Sequence, residues 1–145
     1  MTDSRSFRTR VAVLALLAAL PWSIQWLDGS GLGVRFVWGM ASPGPGSVST
    51  LVAYLRFSGA PIVFDWLLAA GLFGLAVVVT LIERATGRYD GRIAAGLLAL
   101  SGLANLAVAW TFSVQPGRLA LPVGTLLLWY VAWRWWREGS GLLRE

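Results

Sequence analysis

Cysteine, histidine and lysine are all missing from this chain. Without thiols or imidazoles there is no disulfide, thiol nucleophile, His/Cys zinc site, His-ligated haem or His general base. A Ser–His intramembrane protease is excluded by the same count. The missing thiols leave the redox compartment open. Charge is scarce too: 13% of residues are charged, against roughly 25% in soluble domains. No catalytic constellation, cofactor site or metal site is legible, and a non-enzyme is expected.

What is present is apolar. Of 145 residues, 57% are hydrophobic. They concentrate in four runs, Val11–Leu27, Ile62–Ile82, Ile93–Val114 and Leu119–Trp133, joined by arginine-bearing connections. At 1.5 Å per residue, the second and third runs extend about 31 and 33 Å, enough to cross a hydrocarbon core. The first and last are shorter and need Trp, Arg or local thinning at their ends. The pattern predicts an all-α membrane protein: a four-transmembrane-helix antiparallel bundle within a single membrane domain, 1–145. Its spans are about 11–28, 61–82, 92–114 and 119–136, with a partly structured outer loop, 29–60.

The net charge is +5 and the pI near 11.1. All twelve basic residues are arginine, and they cluster at run ends instead of forming a basic-aromatic groove. That argues for topology setting and against nucleic acid. Arg5, Arg8, Arg10, Arg84, Arg88, Arg92, Arg134, Arg137 and Arg144 fall on one side of the expected bundle; Arg35, Arg56 and Arg118 fall on the other. The positive-inside rule then puts both termini in the cytoplasm of a multi-pass plasma-membrane protein. Arg5–Leu20 has the outline of a signal peptide, but Leu17 and Pro21 spoil the cleavage site at Ala19, so an uncleaved span is expected.

Within the long connection, Val34–Trp38 reads as a short strand and Ser42–Gly46 as a turn or hinge. Leu51–Phe57 reads as a short helix on the outer membrane surface. Pro61 opens the second span. Gly71 and Gly74 there, and Ala95 and Gly102 in the third span, offer small faces for close helix packing, while Asn105 is expected to hydrogen-bond a neighbouring helix. Trp133, Arg134, Trp136 and Arg137 would anchor the last span at the inner headgroups, where arginines could also meet anionic lipid.

The one acid well within an apolar run is Asp65. It lies about 5–6 Å inside the outer boundary, within reach of Arg35, Arg56 and Arg118. An ion pair tying the outer loop down is the leading expectation, and a transported-ion or substrate role is the alternative. Trp22, Trp26, Trp38, Trp66 and Asp65 could wall a pocket for an amphipathic ligand, or the tryptophans could simply form an interface belt.

Ala19–Ser23 (Ala-Leu-Pro-Trp-Ser), Phe36–Gly39 (Phe-Val-Trp-Gly) and Arg118–Leu128 (Arg-Leu-Ala-Leu-Pro-Val-Gly-Thr-Leu-Leu-Leu) resemble small four-span membrane proteins of haloarchaeal type. The overall shape also looks like the claudin-like tetraspan plan, without that family's paired loop cysteines. The missing catalytic side chains, the small soluble mass and the ordered outer segment point to a non-enzymatic tetraspan that organises or assists other proteins through helix packing and its outer loop. Its expected partners are the lipid bilayer and a second copy or another membrane protein, with no nucleic acid. A small proton- or ion-coupled transporter using Asp65 is the alternative.

Overall fold

A computed structural model describes residues 2–44, 46–87 and 90–141. Arg88 and Arg144 lie outside the described residues. The element order is α1 (Thr2–Ala19), β1 (Ser23–Leu27), β2 (Gly31–Arg35), β3 (Gly39–Ser42), β4 (Ser47–Thr50), α2 (Leu51–Phe57), α3 (Pro61–Thr86), α4 (Arg92–Ser113), β5 (Arg118–Leu121) and α5 (Val123–Gly141). The strands form one antiparallel sheet in the order β4-β3-β2-β1-β5.

This corrects the all-α, four-transmembrane-helix expectation, and with it the resemblance to haloarchaeal four-span proteins and to the claudin-like tetraspan plan. The fold is mixed α/β, and only α3 and α4 among the described helices are long and apolar enough to cross a membrane. The physical reason is punctuation. The first apolar run breaks at Pro21, which cannot continue a helix. Beyond it, Ser23-Ile24-Gln25-Trp26-Leu27 alternates between buried and exposed positions, the period of a strand. The last run is cut in the same way: Arg118–Leu121 is a strand, and α5 starts only after Pro122. Helix α1 also carries Asp3, Arg5, Arg8 and Arg10, and α5 carries Arg134, Arg137 and Glu138, charges that lower both below spanning hydropathy.

The connection expected as a loop supplies three strands and a helix. Asp28-Gly29 turns β1 into β2, with Gly29 and Gly31 at φ of 83° and 81°, a left-handed geometry that glycine adopts without strain. Strand β1 pairs on its other side with β5, Ile24 opposite Leu121 and Leu27 opposite Arg118. Thr50 caps α2 by accepting from the Ala53 N–H at 3.2 Å.

The sheet is inverted relative to an ordinary soluble one. Ser23, Gln25 and Arg35 are buried on its inner face. Ile24, Trp26, Leu32, Val34, Leu119 and Leu121 share the outer face, where Trp26 and Leu121 are 54% and 53% exposed. Beneath the sheet, α3, α4 and α5 pack around Trp22, Phe73, Leu98 and Leu128. Trp22 is not an interface residue: it is 1% exposed, and its Nε1 donates to the Leu17 carbonyl at 2.8 Å. Helix α4 sits between its neighbours. Ser101 Oγ donates to the Ala69 carbonyl of α3 at 2.8 Å, and Trp129 of α5 donates to the Ala99 carbonyl at 3.0 Å.

At the helix ends remote from the sheet, Arg10 is buried between Glu83 (3.4 Å) and Glu138 (3.8 Å) and lies over Trp135. The Glu83 carboxylate also accepts from the Gly91 N–H at 3.0 Å. One guanidinium thereby ties α1 to α3 and α5 beside the start of α4.

Candidate functional site

The site is assembled from the inner face of the sheet. With Gly31, Gly33 and Arg35 on alternate positions of β2, the last of the three is directed inward. A Cβ on Gly33 would stand 2.7 Å from the Met40 methyl, the free end of a flexible side chain that can move aside. Arg35 is thus sealed under its own sheet, 2% exposed.

Asn105, at the middle of α4, holds it. Arg35 Nη2 donates to Asn105 Oδ1 at 2.6 Å. The amide nitrogen of Asn105 donates to the Trp22 carbonyl at 3.2 Å and to Thr125 Oγ1 at 3.0 Å. Thr125 in turn donates to the Gly102 carbonyl at 2.9 Å. Every polar atom of the Asn105 side chain is engaged, so its oxygen is committed to the guanidinium. Arg35 Cζ also lies 5.5 Å from the centre of the Trp66 ring, whose Nε1 donates to the Phe36 carbonyl. This is a cation–π contact of the kind that strengthens on desolvation.

These bonds leave the cation largely unsatisfied. Arg35 Nε and Nη1 are buried without a hydrogen-bond partner among the described residues, and no carboxylate there forms an ion pair with Arg35. The contrast with Arg10, which has two acids, is direct. Burial pushes the Arg35 pKa down to about 9. The group therefore stays charged at neutral pH, at a desolvation cost that no protein anion offsets.

Arg35 lines a cavity of about 320 Å³ between sheet and helices. Gln25, Tyr54, Ser58 and Arg118 add polar groups; Leu27, Met40, Ile62, Val63, Trp66, Val108 and Phe112 make the rest of the wall apolar. Among the described residues no Asp or Glu lines it. Ala60, Ile62 and Val63 belong to the start of α3, an N-terminus with no acidic residue in its first turn and no side-chain cap. The positive end of that helix dipole adds to the field of the two arginines. The mixture of apolar wall and a few convergent polar groups is what small-molecule sites have in common.

Of the four residues expected to cluster, Arg35 and Arg118 do line one cavity, Arg118 on its rim over Phe112 with Nη1 donating to Gln115 Oε1. Arg56 is exposed on α2. Asp65 is half-buried, lines no part of this cavity and forms no ion pair among the described residues. Trp66 is the one tryptophan of the expected aromatic pocket that lines the cavity. Trp26 faces outward, Trp38 stacks on Phe36, and Trp22 lies in the core. Gln25, Met40 and Tyr54 were not anticipated. The alternation of β1 and β2 carries the signal for Gln25.

The other named positions sort by element. A Cβ on Gly71 or Gly74 would meet nothing within 4 Å, whereas one on Gly102 would meet the Trp129 indole at 2.6 Å. Ala95 is buried in the main core. Trp133 and Trp136 are 51% and 53% exposed on α5; Arg137 lies over Trp133, and Arg134 pairs with Glu138 at 3.7 Å.

Residues 1–144 match the family described as Domain of unknown function (DUF8050), and the chain belongs to that family. No curated protein matches it.

Proposed function

We propose that this protein is a non-enzymatic binding protein, embedded in the cell membrane through α3 and α4, that holds a small anion beneath its sheet. One observation carries the reading: the buried Arg35, two of whose guanidinium nitrogens have no partner among the described residues, lines a cavity with no acid among its described lining residues. An uncompensated buried ion costs several kcal/mol, and a bound anion offsets that cost where no side chain does. The cavity contains no nucleophile paired with a base, which favours binding over catalysis. Apolar exposure along α3, with Phe64, Leu68, Leu75, Leu81 and Ile82 all at least half exposed, supports a lipid-facing surface. A proton-coupled role for Asp65 has no comparable support, since Asp65 stands off the cavity.

The test is the mass of the intact protein released from its membranes in mild detergent. A small bound anion on the wild type, lost in Arg35→Gln, is the expected result. An empty wild type that no added anion stabilises would contradict it.

The organising role keeps one supporting observation, the exposed apolar outer face of the sheet. On that reading a second copy or another membrane protein covers Trp26, Leu119 and Leu121, and Trp26→Glu should remove a crosslink formed in native membranes. Crosslinking that traps only monomer in the wild type would count against it.

A further inference from the structure

Resting on the anion reading, we infer that Gln25 is the residue that selects the ligand, and that the ligand is a small anion with a hydroxyl or N–H group next to its charge. A 2-hydroxy carboxylate is the simplest of that class.

Gln25 is 3% exposed, and its side-chain amide has no hydrogen-bond partner among the described residues. Neither polar atom of that amide is closed off in the way that Arg35 Nε and Nη1 are. Because Gln25 lines the cavity, its amide looks into it. Strand register explains why the amide is left unpaired. Directly opposite Gln25 on the inner face stand Gly33 of β2 and Ala120 of β5, and neither side chain can donate or accept. Its diagonal neighbours are Arg35 on one side and Arg118 on the other, each about 7–8 Å away. The other polar side chains of the described wall are engaged: Tyr54 donates to Met40 Sδ at 3.4 Å, and Ser58 Oγ accepts from the Ala60 N–H. A buried amide in this position costs the fold free energy unless something in the cavity bonds it.

The ligand class follows from the groups that face the cavity. Arg35 supplies charge but no open pair of donors, since Nε and Nη1 are closed off. Arg118 is exposed at the rim, donates to Gln115 and pairs with no acid among the described residues. Two cations facing one cavity favour a negative group. Gln25 adds an acceptor, which neither arginine has. Its amide sets an oxygen beside two N–H bonds, whichever way it is turned. An anion alone meets the N–H side and leaves the oxygen unpaired. A hydroxyl or N–H one carbon from a carboxylate donates to that oxygen while a carboxylate oxygen accepts from the amide nitrogen.

The experiment uses the full chain in phosphatidylcholine nanodiscs at constant ionic strength. It reads Tm against the concentration of glycolate, of acetate (the charge without the hydroxyl) and of glycolamide (the hydroxyl without the charge), and takes a Kd from each series. Glycolate should bind at least about fivefold more tightly than either, the lower end of what leaving a buried polar group unpaired costs. Gln25→Leu keeps the bulk of the side chain without its amide and should bind glycolate and acetate alike. Should Gln25→Leu fail to fold, the wild-type comparison of glycolate with acetate decides alone. Acetate binding the wild type as tightly as glycolate, or a preference for glycolate that persists in Gln25→Leu, overturns the role of Gln25 and leaves the anion reading standing. Glycolamide binding as tightly as glycolate overturns the anion reading and the inferred class with it. A Tm that answers to none of the three overturns both.

Discussion

Arg35 and Asn105 make opposite demands on the fold, and substitutions should separate them. Asn105→Leu strands Arg35 Nη2 and takes one bond each from the Trp22 carbonyl and the Thr125 hydroxyl, which keep the Gly124 N–H and the Gly102 carbonyl. Leaving a buried polar group unpaired costs about 1–3 kcal/mol, so a loss of about 3 kcal/mol in denaturant unfolding is expected. Arg35→Met removes an uncompensated charge along with one hydrogen bond, and in ligand-free protein it should cost less than about 1 kcal/mol, as replacing a buried ion by an apolar isostere often does. An Arg35→Met loss as large as that of Asn105→Leu would show that Arg35 is a structural cation. Ligand affinity should also depend on pH in a defined direction. Burial holds the empty-site Arg35 near pKa 9, and a bound carboxylate stabilises its charged form and so raises that value. Binding then takes up a proton above roughly pH 9: affinity should be flat from about pH 6 to 9 and fall up to tenfold per unit above. Tyr54 and Arg118 are the other titratable groups lining the cavity, and Tyr54→Phe controls for the phenol.

Glycines distinguish the elements that pack from those that do not. Gly124 opens α5 against β1, where a Cβ would come 2.6 Å from Trp22 Cα. Backbone on both sides leaves nothing to yield, so Gly124→Ala should destabilise by roughly 2 kcal/mol or more. Gly71→Ala and Gly74→Ala should each stabilise α3 by about 0.5–1 kcal/mol, since nothing stands within 4 Å and alanine is the better helix former; a decrease in Tm for either would mean that α3 packs on a partner through that face. The same comparison explains what the sequence made legible. Spacing of small residues marks where close approach is possible, and Gly102 against Trp129 uses that possibility while Gly71 does not. Pro61 at the start of α3 and the helix Leu51–Phe57 were readable from local signals. The sheet was hidden because β1 and β5 lie inside runs whose apolar count matches a membrane helix. Hydropathy sums residues without regard to period, and the breaks at Pro21, Asp28-Gly29 and Pro122 carried the information. Arg35 and Arg118 were visible as charges facing one side, but the partner of Arg35 was sought among acids close at hand. It is an amide 70 positions away in sequence, reached only after strand register and helix packing are both in place.

At the scale of the whole molecule, charge and apolar surface are divided between two ends. Arg10, Glu83 and Glu138 bind the helices together at one end, and the sheet with its polar interior closes the other. If α3 and α4 lie in lipid, the protein should remain in the membrane pellet after alkaline carbonate extraction. Recovery in the supernatant would refute the embedding.

The most direct measurement concerns the Arg35 guanidinium itself. In nanodiscs of arginine-¹⁵N-labelled protein, one Nε–H resonance, identified by its loss in Arg35→Lys, should shift as a small anion saturates the site. An Arg35 resonance that no added anion moves would contradict the account.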